Sequence, residues 1–228
     1  MKIFKTSIIC FIALMVFYSC KKDYVIGGSV FNPNVNMTTY DYLKTNHLFD
    51  TLVIMIDKTG LKEEVNSSGT FFAVTNYSIK NYVLKKRDQV RFEKDDENYP
   101  YTFDSLDFSM LKDSLRAYMF KEKLAIENLQ GRGVFATAND GEKRLVMGFE
   151  TNDYTSGIFT TKPKYIYLTK IIATPENKPL PTSLEEALLV DDDQQLYTLC
   201  QTTGIISTTG VLHVLSNNHT FTYFNDNQ

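Results

Sequence analysis

The sequence has little of what most catalytic and metal sites are built from. Its 228 residues include three histidines, three cysteines and no tryptophan. The histidines stand at none of the spacings from Cys, Asp or Glu that are typical of metal sites, and no HExxH, CxxC or G-x-S-x-G motif occurs. The sequence therefore predicts no catalytic residue, no metal ion and no cofactor, and we expect a protein that is not an enzyme.

An excess of positive charge is also missing. The chain has 24 Lys and Arg against 27 Asp and Glu, which gives a formal net charge of -3. Proteins that bind nucleic acid through its phosphates carry a basic surface, so we expect no nucleic-acid partner. The one basic run, Lys85 to Arg87, is predicted to lie at the end of a helix, where positive charge complements the helix dipole.

The longest apolar run, Ser7 to Ser19, lies at the N-terminus. It has the length of a signal-peptide core and is too short for a stable membrane-spanning helix. Two lysines precede it, and Cys20 follows it directly. This arrangement resembles a bacterial lipoprotein signal, in which a peptidase cuts before the cysteine and the cysteine is then acylated. An ordinary signal peptide with an incidental cysteine is the alternative.

The lipoprotein resemblance implies how the chain is processed and where it is placed. Residues 1–19 would be removed, Cys20 would carry the lipid that holds the protein to a membrane, and the protein would lie on the bacterial cell envelope, with the outer membrane as the expected place. Residues 20–37, with Gly27, Gly28 and Pro33, are predicted to be a tether between the anchor and the domain.

Processing would leave Cys200 as the one cysteine without a lipid, so the mature chain could form no intramolecular disulfide. Because Cys200 lies in a predicted strand, we interpret it as a buried and inert thiol, with a catalytic pair of Cys200 and His213 as the alternative. The acidic run Asp191 to Asp193 favours a solvated turn, and a calcium site is its alternative reading.

Helical patterns come early in the chain and β patterns come late, which predicts an α+β fold. Helices are predicted after the caps Thr38 and Thr75–Asn76, in the segments HLFDTLVIMIDKTG and LKEEVN, and in SMLKDSLRAYMF, with Tyr118 on its apolar face. Strands are predicted in GTFFAV, GVFATA, EKRLVMGFE, KYIYLTKII, LYTLCQTTGII, VLHVLS and TFTYF. Asn139-Asp140-Gly141 is a hairpin turn signal, and Ser183 with Glu186 forms a capping-box pattern.

Two of these segments resemble the homology boxes of fasciclin-type domains. The first is SGTFFAVTNYSI, and its matching residues are Thr70, Phe72, Ala73, Thr75 and Asn76. The second is TTGVLHVLS, and its matching residues are Gly210, Val211, His213 and Val214. The resemblance covers about residues 38–228, with insertions near 88–107 and 172–195. A third family element, a Tyr-His pair after the central helix, is represented by Tyr118 followed by Met119.

The fasciclin resemblance implies a wedge of two small β-sheets with helices packed along one side. It also implies a non-enzymatic adhesion or interaction module with an unknown protein or polysaccharide ligand. The alternative is a glycan-binding accessory of outer-membrane polysaccharide uptake, or a weak glycan hydrolase, because 14 tyrosines could supply stacking surfaces for sugars. We expect His213 to be buried and hydrogen-bonded near the first box, since an unpaired buried polar group costs a few kcal/mol.

Overall fold

A computed structural model of the chain describes residues 32–129, 133–150, 164–175 and 179–222. The predicted signal peptide, residues 1–19, and the lipidation site, Cys20, lie outside these ranges. The described residues form helices and one mixed sheet of seven strands, so the predicted α+β class is confirmed. No helix among them is long and apolar enough to cross a membrane.

Local capping signals define the helices. The helices are α1 (Thr39–Lys44), α2 (Asp50–Thr59), α3 (Lys62–Ser67), α4 (Asn76–Lys94), α5 (Leu111–Arg116) and α6 (Leu184–Ala187). Thr38 and Thr75 cap α1 and α4, because each side chain accepts a hydrogen bond from a backbone N–H of the first turn. Gly60 ends α2 in the left-handed conformation, with φ 68°. The predicted capping box of Ser183 and Glu186 is confirmed at the start of α6.

Helix α4 is longer than the sequence predicted. It runs on to Lys94 and ends at Asp95, which has φ 52° and lies in the left-handed region. No glycine or proline interrupts the chain before that point, so nothing local stops the helix. The insertion predicted near 88–107 is therefore helical over its first seven residues, and the basic run Lys85 to Arg87 lies inside the helix rather than at its end.

The strands belong to one hydrogen-bonded sheet in the order β2-β1-β7-β6-β5-β4-β3. They are β1 (Thr70–Ala73), β2 (Met119–Phe120), β3 (Val134–Thr137), β4 (Lys143–Glu150), β5 (Lys164–Ile171), β6 (Gln195–Ile206) and β7 (Val211–Leu215). Only the β1–β7 pair is parallel. The other five pairs are antiparallel.

The two predicted small sheets are joined through β6. The first part of this strand, up to Leu199, pairs with β5, and the rest, from Cys200, pairs with β7. The β6–β7 register shifts twice, between Cys200 and Thr202 and between Thr202 and Ile205. Such irregularities bend a strand and increase its twist. Because β6 is long and bent, it can pair with β5 and with β7 at once, and the two halves of the sheet stay joined.

The two ends of the sheet also meet. Phe120 of β2 forms an isolated bridge with Ala138, which follows β3, and Asn139 N–H donates to Met119 O at 2.8 Å. The predicted helix around Tyr118 is wrong at this point, because α5 ends at Arg116 and Met119 begins β2. The sheet is thus nearly closed, with a continuous apolar core on its inner side.

Two other predictions are corrected at the chain's boundaries. The segment TFTYF is not a strand over its described part, since Phe221 and Thr222 form a turn and Thr222 has φ 61°. Residues 33–37, predicted to be tether, pair with the end of β6: Val35 N–H donates to Ile206 O at 2.8 Å, and Ile206 N–H donates to Pro33 O at 2.7 Å. These residues therefore pack as part of the fold.

Candidate functional site

The residues of the two boxes lie side by side on the parallel strands β1 and β7. Thr70 faces Val211, Phe72 faces His213, and Ala73 faces Val214. Apart from Asn76, which is half-buried, all the box residues are buried. The boxes are 140 residues apart in sequence, and the fold brings both candidate segments together as the second and third strands of the sheet.

Gly210 permits the close approach of these two strands. A Cβ atom at this position would overlap the Ser68 carbonyl oxygen and lie 2.9 Å from the Gly69 carbonyl oxygen. Both neighbours are backbone atoms that cannot swing away as a flexible side chain could. The glycine of the second box is therefore required by the contact between backbones.

Thr70 and His213 hold the same loop, residues 122–124. The Thr70 hydroxyl donates to Glu122 O at 2.7 Å and accepts from Leu124 N–H at 2.8 Å. The His213 Nε2 atom lies 2.9 Å from Leu124 O. The polar residues of the two boxes thus supply the hydrogen-bond partners that the backbone of a loop crossing a buried region would otherwise lack.

Both ring nitrogens of His213 are used inside the fold. Gly204 N–H donates to Nδ1 at 3.1 Å, so Nε2 carries the proton that is donated to Leu124 O. The ring is fully buried, and its centroid lies 5.0 Å from that of Phe72. Burial lowers the pKa of His213 to about 4, because a charged imidazole would lose its hydration. The predicted burial and backbone hydrogen bonding of His213 are confirmed.

The alternative reading of Cys200 and His213 as a catalytic pair finds no support in these contacts. Neither nitrogen of His213 is left for a thiol, and Cys200 lies opposite Leu215 in the β6–β7 ladder. Cys200 is a buried free cysteine, and burial raises the pKa of its thiol. The interpretation of Cys200 as a buried thiol is confirmed.

The remaining polar box residues connect helices. Asn76, predicted to cap α4, is instead its first residue: its side-chain oxygen accepts from Thr51 N–H at 2.9 Å, and its amide donates to His47 O at 2.7 Å. Asn76 therefore ties the start of α4 to the start of α2. Thr209, next to the second box, accepts from Thr39 N–H at 2.9 Å and so ties the β6–β7 turn to α1.

A second buried histidine forms a cluster that the sequence did not reveal. His219 Nε2 lies 2.8 Å from the Tyr118 hydroxyl, and Nδ1 lies 2.9 Å from the Thr198 hydroxyl. Burial lowers the pKa of His219 to about 3. Tyr118 and Met119, which stand where the fasciclin resemblance predicts a Tyr-His pair, are both buried. Tyr118 pairs with a histidine 101 positions away, and no local sequence pattern predicts that contact.

The acidic run does not form a metal site within the described residues. Asp191 precedes a single turn of 3-10 helix, Asp192–Gln194, and all three aspartates are exposed. In the part of the chain that the structure describes, no group of three His, Cys, Asp or Glu side chains is placed to hold a metal ion. The geometry is that of the solvated turn favoured by the sequence.

A cluster of aromatic side chains, three of them exposed and Tyr167 half-buried, lies on the face of the sheet opposite the core. Its members follow the alternation of three neighbouring strands: Phe149 on β4, Tyr165 and Tyr167 on β5, and Tyr197 on β6. Phe149 is 45% exposed, Tyr165 39% and Tyr197 62%. The ring centroids of Phe149 and Tyr167 are 5.4 Å apart, and those of Tyr167 and Tyr197 are 6.0 Å apart, both edge to face.

These rings line an open cleft of about 580 Å³, which we call the aromatic groove. Leu145 and Thr169 are buried beneath it, and the segment from Leu188 to Asp192 forms another side. Asp192 and Gln195 supply polar groups within the lining, and Gln195 Nε2 donates to Val190 O at 2.8 Å. Clefts of this volume, with mostly apolar walls and a few placed polar groups, are typical of ligand sites.

Comparison with protein-family models gives no match for this chain, and comparison with curated proteins gives none either. The box residues predicted from the sequence form a buried structural centre, while the aromatic groove is a described surface with the properties of a binding site. The abundance of tyrosine is visible in the sequence, but only the structure shows which tyrosines are exposed.

Proposed function

We propose that this protein is a non-enzymatic binding module of the bacterial cell envelope, held to the membrane by a lipid on Cys20. The single observation that carries the binding role is the aromatic groove. Aromatic side chains that stay exposed in a cluster forgo the burial that normally stabilises them, so such clusters mark interaction surfaces.

The buried histidines support the non-enzymatic part of the proposal. His213 and His219 have both ring nitrogens engaged within the fold, and burial lowers the pKa of each. A general base must reach the proton that it removes and have a pKa near the working pH. These two residues are therefore assigned to the structure rather than to a reaction.

A fasciclin-type domain is the fold we propose, with the two small sheets of the wedge joined through β6 into one sheet. The pairing of the two boxes on adjacent strands supports it, because Thr70 and His213 hold residues 122–124 from that junction. The lipoprotein reading rests on the apolar run before Cys20 and on the residues around it. The proposed domain and the proposed anchor together fit an adhesion role, because a lipid anchor would display the aromatic groove at the cell surface.

The anchor is tested by expressing the full chain and its C20A variant in a bacterium that processes lipoproteins. We expect the native chain to incorporate labelled palmitate and to float with membranes after carbonate washing. The C20A chain should do neither. If the C20A chain still floated with membranes and lacked only the label, another segment would hold the protein and the proposed anchor would be wrong.

The binding role is tested with cells that display the full chain on immobilised polysaccharide or protein layers. The double variant Y165A/Y197A should abolish adhesion to whichever layer retains the native cells. Y77A is the matched control, because Tyr77 is 56% exposed on α4 and is not part of the groove. Equal adhesion by native and double-variant cells, at equal display, would contradict the role of the groove.

A further inference from the structure

We infer that the aromatic groove binds a neutral carbohydrate chain, with sugar rings packed against Tyr197, Tyr167 and Phe149. This inference rests on the proposed binding function and names its ligand class. The three rings lie on three adjacent strands, which are about 4.8 Å apart in any sheet. They form a row across the strands, with centroid separations of 5.4 Å and 6.0 Å, and so offer successive contacts to a chain of rings.

The mixture of apolar and polar groups in the groove matches the chemistry of a sugar. One face of a pyranose ring carries C–H groups, which pack on aromatic rings, and its rim carries hydroxyls, which need hydrogen-bond partners. The tyrosine hydroxyls, the Asp192 carboxylate and the Gln195 amide supply such partners in the same cleft. A purely apolar ligand would bury these groups without partners, at a cost in affinity.

The charge of the groove selects a neutral sugar. Among its described lining residues, Asp192 is the one ionisable carboxylate and none is Lys or Arg. The chain as a whole carries a formal charge of -3. An anionic glycan would meet repulsion here and find no cationic partner in this lining, whereas a neutral glycan would meet neither difficulty.

The size of the groove favours a carbohydrate over a folded protein partner. A cleft of about 580 Å³ is in the range of small-ligand sites, roughly 300–1,000 Å³. A stable protein interface instead buries roughly 800 Å² on each partner, usually over a flatter surface. Binding without cleavage is also favoured, because glycosidases ordinarily use a pair of carboxyl groups and Asp192 is the one carboxylate among the described lining residues.

The test uses the full chain, extracted in a detergent without a sugar headgroup. Binding to insoluble or immobilised cellulose, xylan, mannan and starch is compared with binding to polygalacturonate and heparin. We expect at least one neutral polysaccharide to be retained and the two acidic ones not to be. Y197A and D192N should weaken that binding at least tenfold and several-fold respectively, whereas Y197F, which keeps the ring, should weaken it less than Y197A.

The Y77A variant is the control for loss of an exposed tyrosine elsewhere, and its glycan binding should equal that of the native chain. The carbohydrate inference would be overturned if the chain retained acidic glycans alone. It would also be overturned if the chain retained no glycan while cells displaying it still adhered to a protein layer through the groove. Either result would leave the proposed function standing. Glycan binding that Y197A and Y165A leave unchanged would overturn both assignments to the groove. Release of reducing sugar from a bound polysaccharide would overturn the non-enzymatic proposal instead.

Discussion

The paired boxes and the aromatic groove are parts of one sheet that use their side chains in opposite ways. In the boxes, polar groups are buried and satisfied by backbone atoms, as with His213 and Thr70. In the groove, large aromatic groups that could have been buried are left in contact with solvent. The difference indicates that the boxes determine the stability of this protein, while the groove is the surface available for recognition.

The substitution expected to destabilise the box region most adds one methyl group at Gly210. In G210A the new Cβ would overlap backbone oxygens of residues 68 and 69, so β1 and β7 would have to separate. We expect a loss of more than about 3 kcal/mol in the free energy of unfolding, measured by urea denaturation. G60A is the control: nothing lies within 4 Å of its Cβ, and only its positive φ is strained. It should cost about 1–2 kcal/mol.

Removing the imidazole of His213 should be nearly as damaging. H213A would leave Leu124 O and Gly204 N–H without their partner and would open a cavity beside Phe72. We expect a loss of about 3 kcal/mol in thermal or urea unfolding. The control H47A changes a histidine whose side chain is fully exposed and should have little effect. A mutant with unchanged melting but lost ligand binding would refute the structural role.

A double-mutant cycle sharpens this point. T70V removes the hydroxyl that binds Glu122 O and Leu124 N–H, and His213 binds the same loop. If both residues hold residues 122–124 as a unit, the losses of T70V and H213A should not add, with a coupling of about 0.5–3 kcal/mol. Strict additivity would mean that each residue stabilises a separate part of the fold.

Acid should weaken the fold through the two buried histidines. The pKa values of His213 and His219 are lowered from 6.5 to about 4 and about 3, so below pH 6.5 the unfolded chain binds more protons than the folded chain. Their contribution to stability is therefore intact above pH 6.5 and is lost as the pH falls toward 4. Each histidine should contribute a slope that approaches about 1.4 kcal/mol per pH unit once the pH is well below 6.5.

This slope is measured by urea unfolding between pH 7 and pH 5, above the range in which most carboxylates titrate. Replacing one histidine should remove its share, so H219Q should halve the slope. A stability that does not vary over this interval would show that the buried histidines do not titrate between the two states.

The smallest stability effect is expected at the groove. Tyr197 is 62% exposed, so Y197A should change the free energy of unfolding by no more than about 0.5 kcal/mol. The measurement is the same urea titration, run beside Y77A. A large loss at Tyr197, comparable with that of H213A, would place the groove among the structural parts of the molecule and remove the contrast between the two regions.

The sequence allowed prediction of what depends on neighbouring residues. The caps Thr38 and Thr75 and the turn Asn139-Asp140-Gly141 before β4 follow from local hydrogen bonds and φ preferences, and the structure has each of them. Local patterns failed where pairing decides the conformation. The two-residue strand β2 exists because β1 and Ala138 lie on its two sides, and nothing within Met119–Phe120 specifies that arrangement.

The candidate site shows the same division. The sequence by itself determined that β1 and β7 would be buried strands and that His213 would need hydrogen-bond partners, because apolar patterning and the cost of burying polar groups are properties of the residues. Only the tertiary structure decided that Tyr118 would meet His219, and that Phe149, Tyr165, Tyr167 and Tyr197 would share an exposed face. Both outcomes depend on strand order and register, which join residues far apart in the chain, and a tyrosine in a strand is equally suited to either face until that register is set.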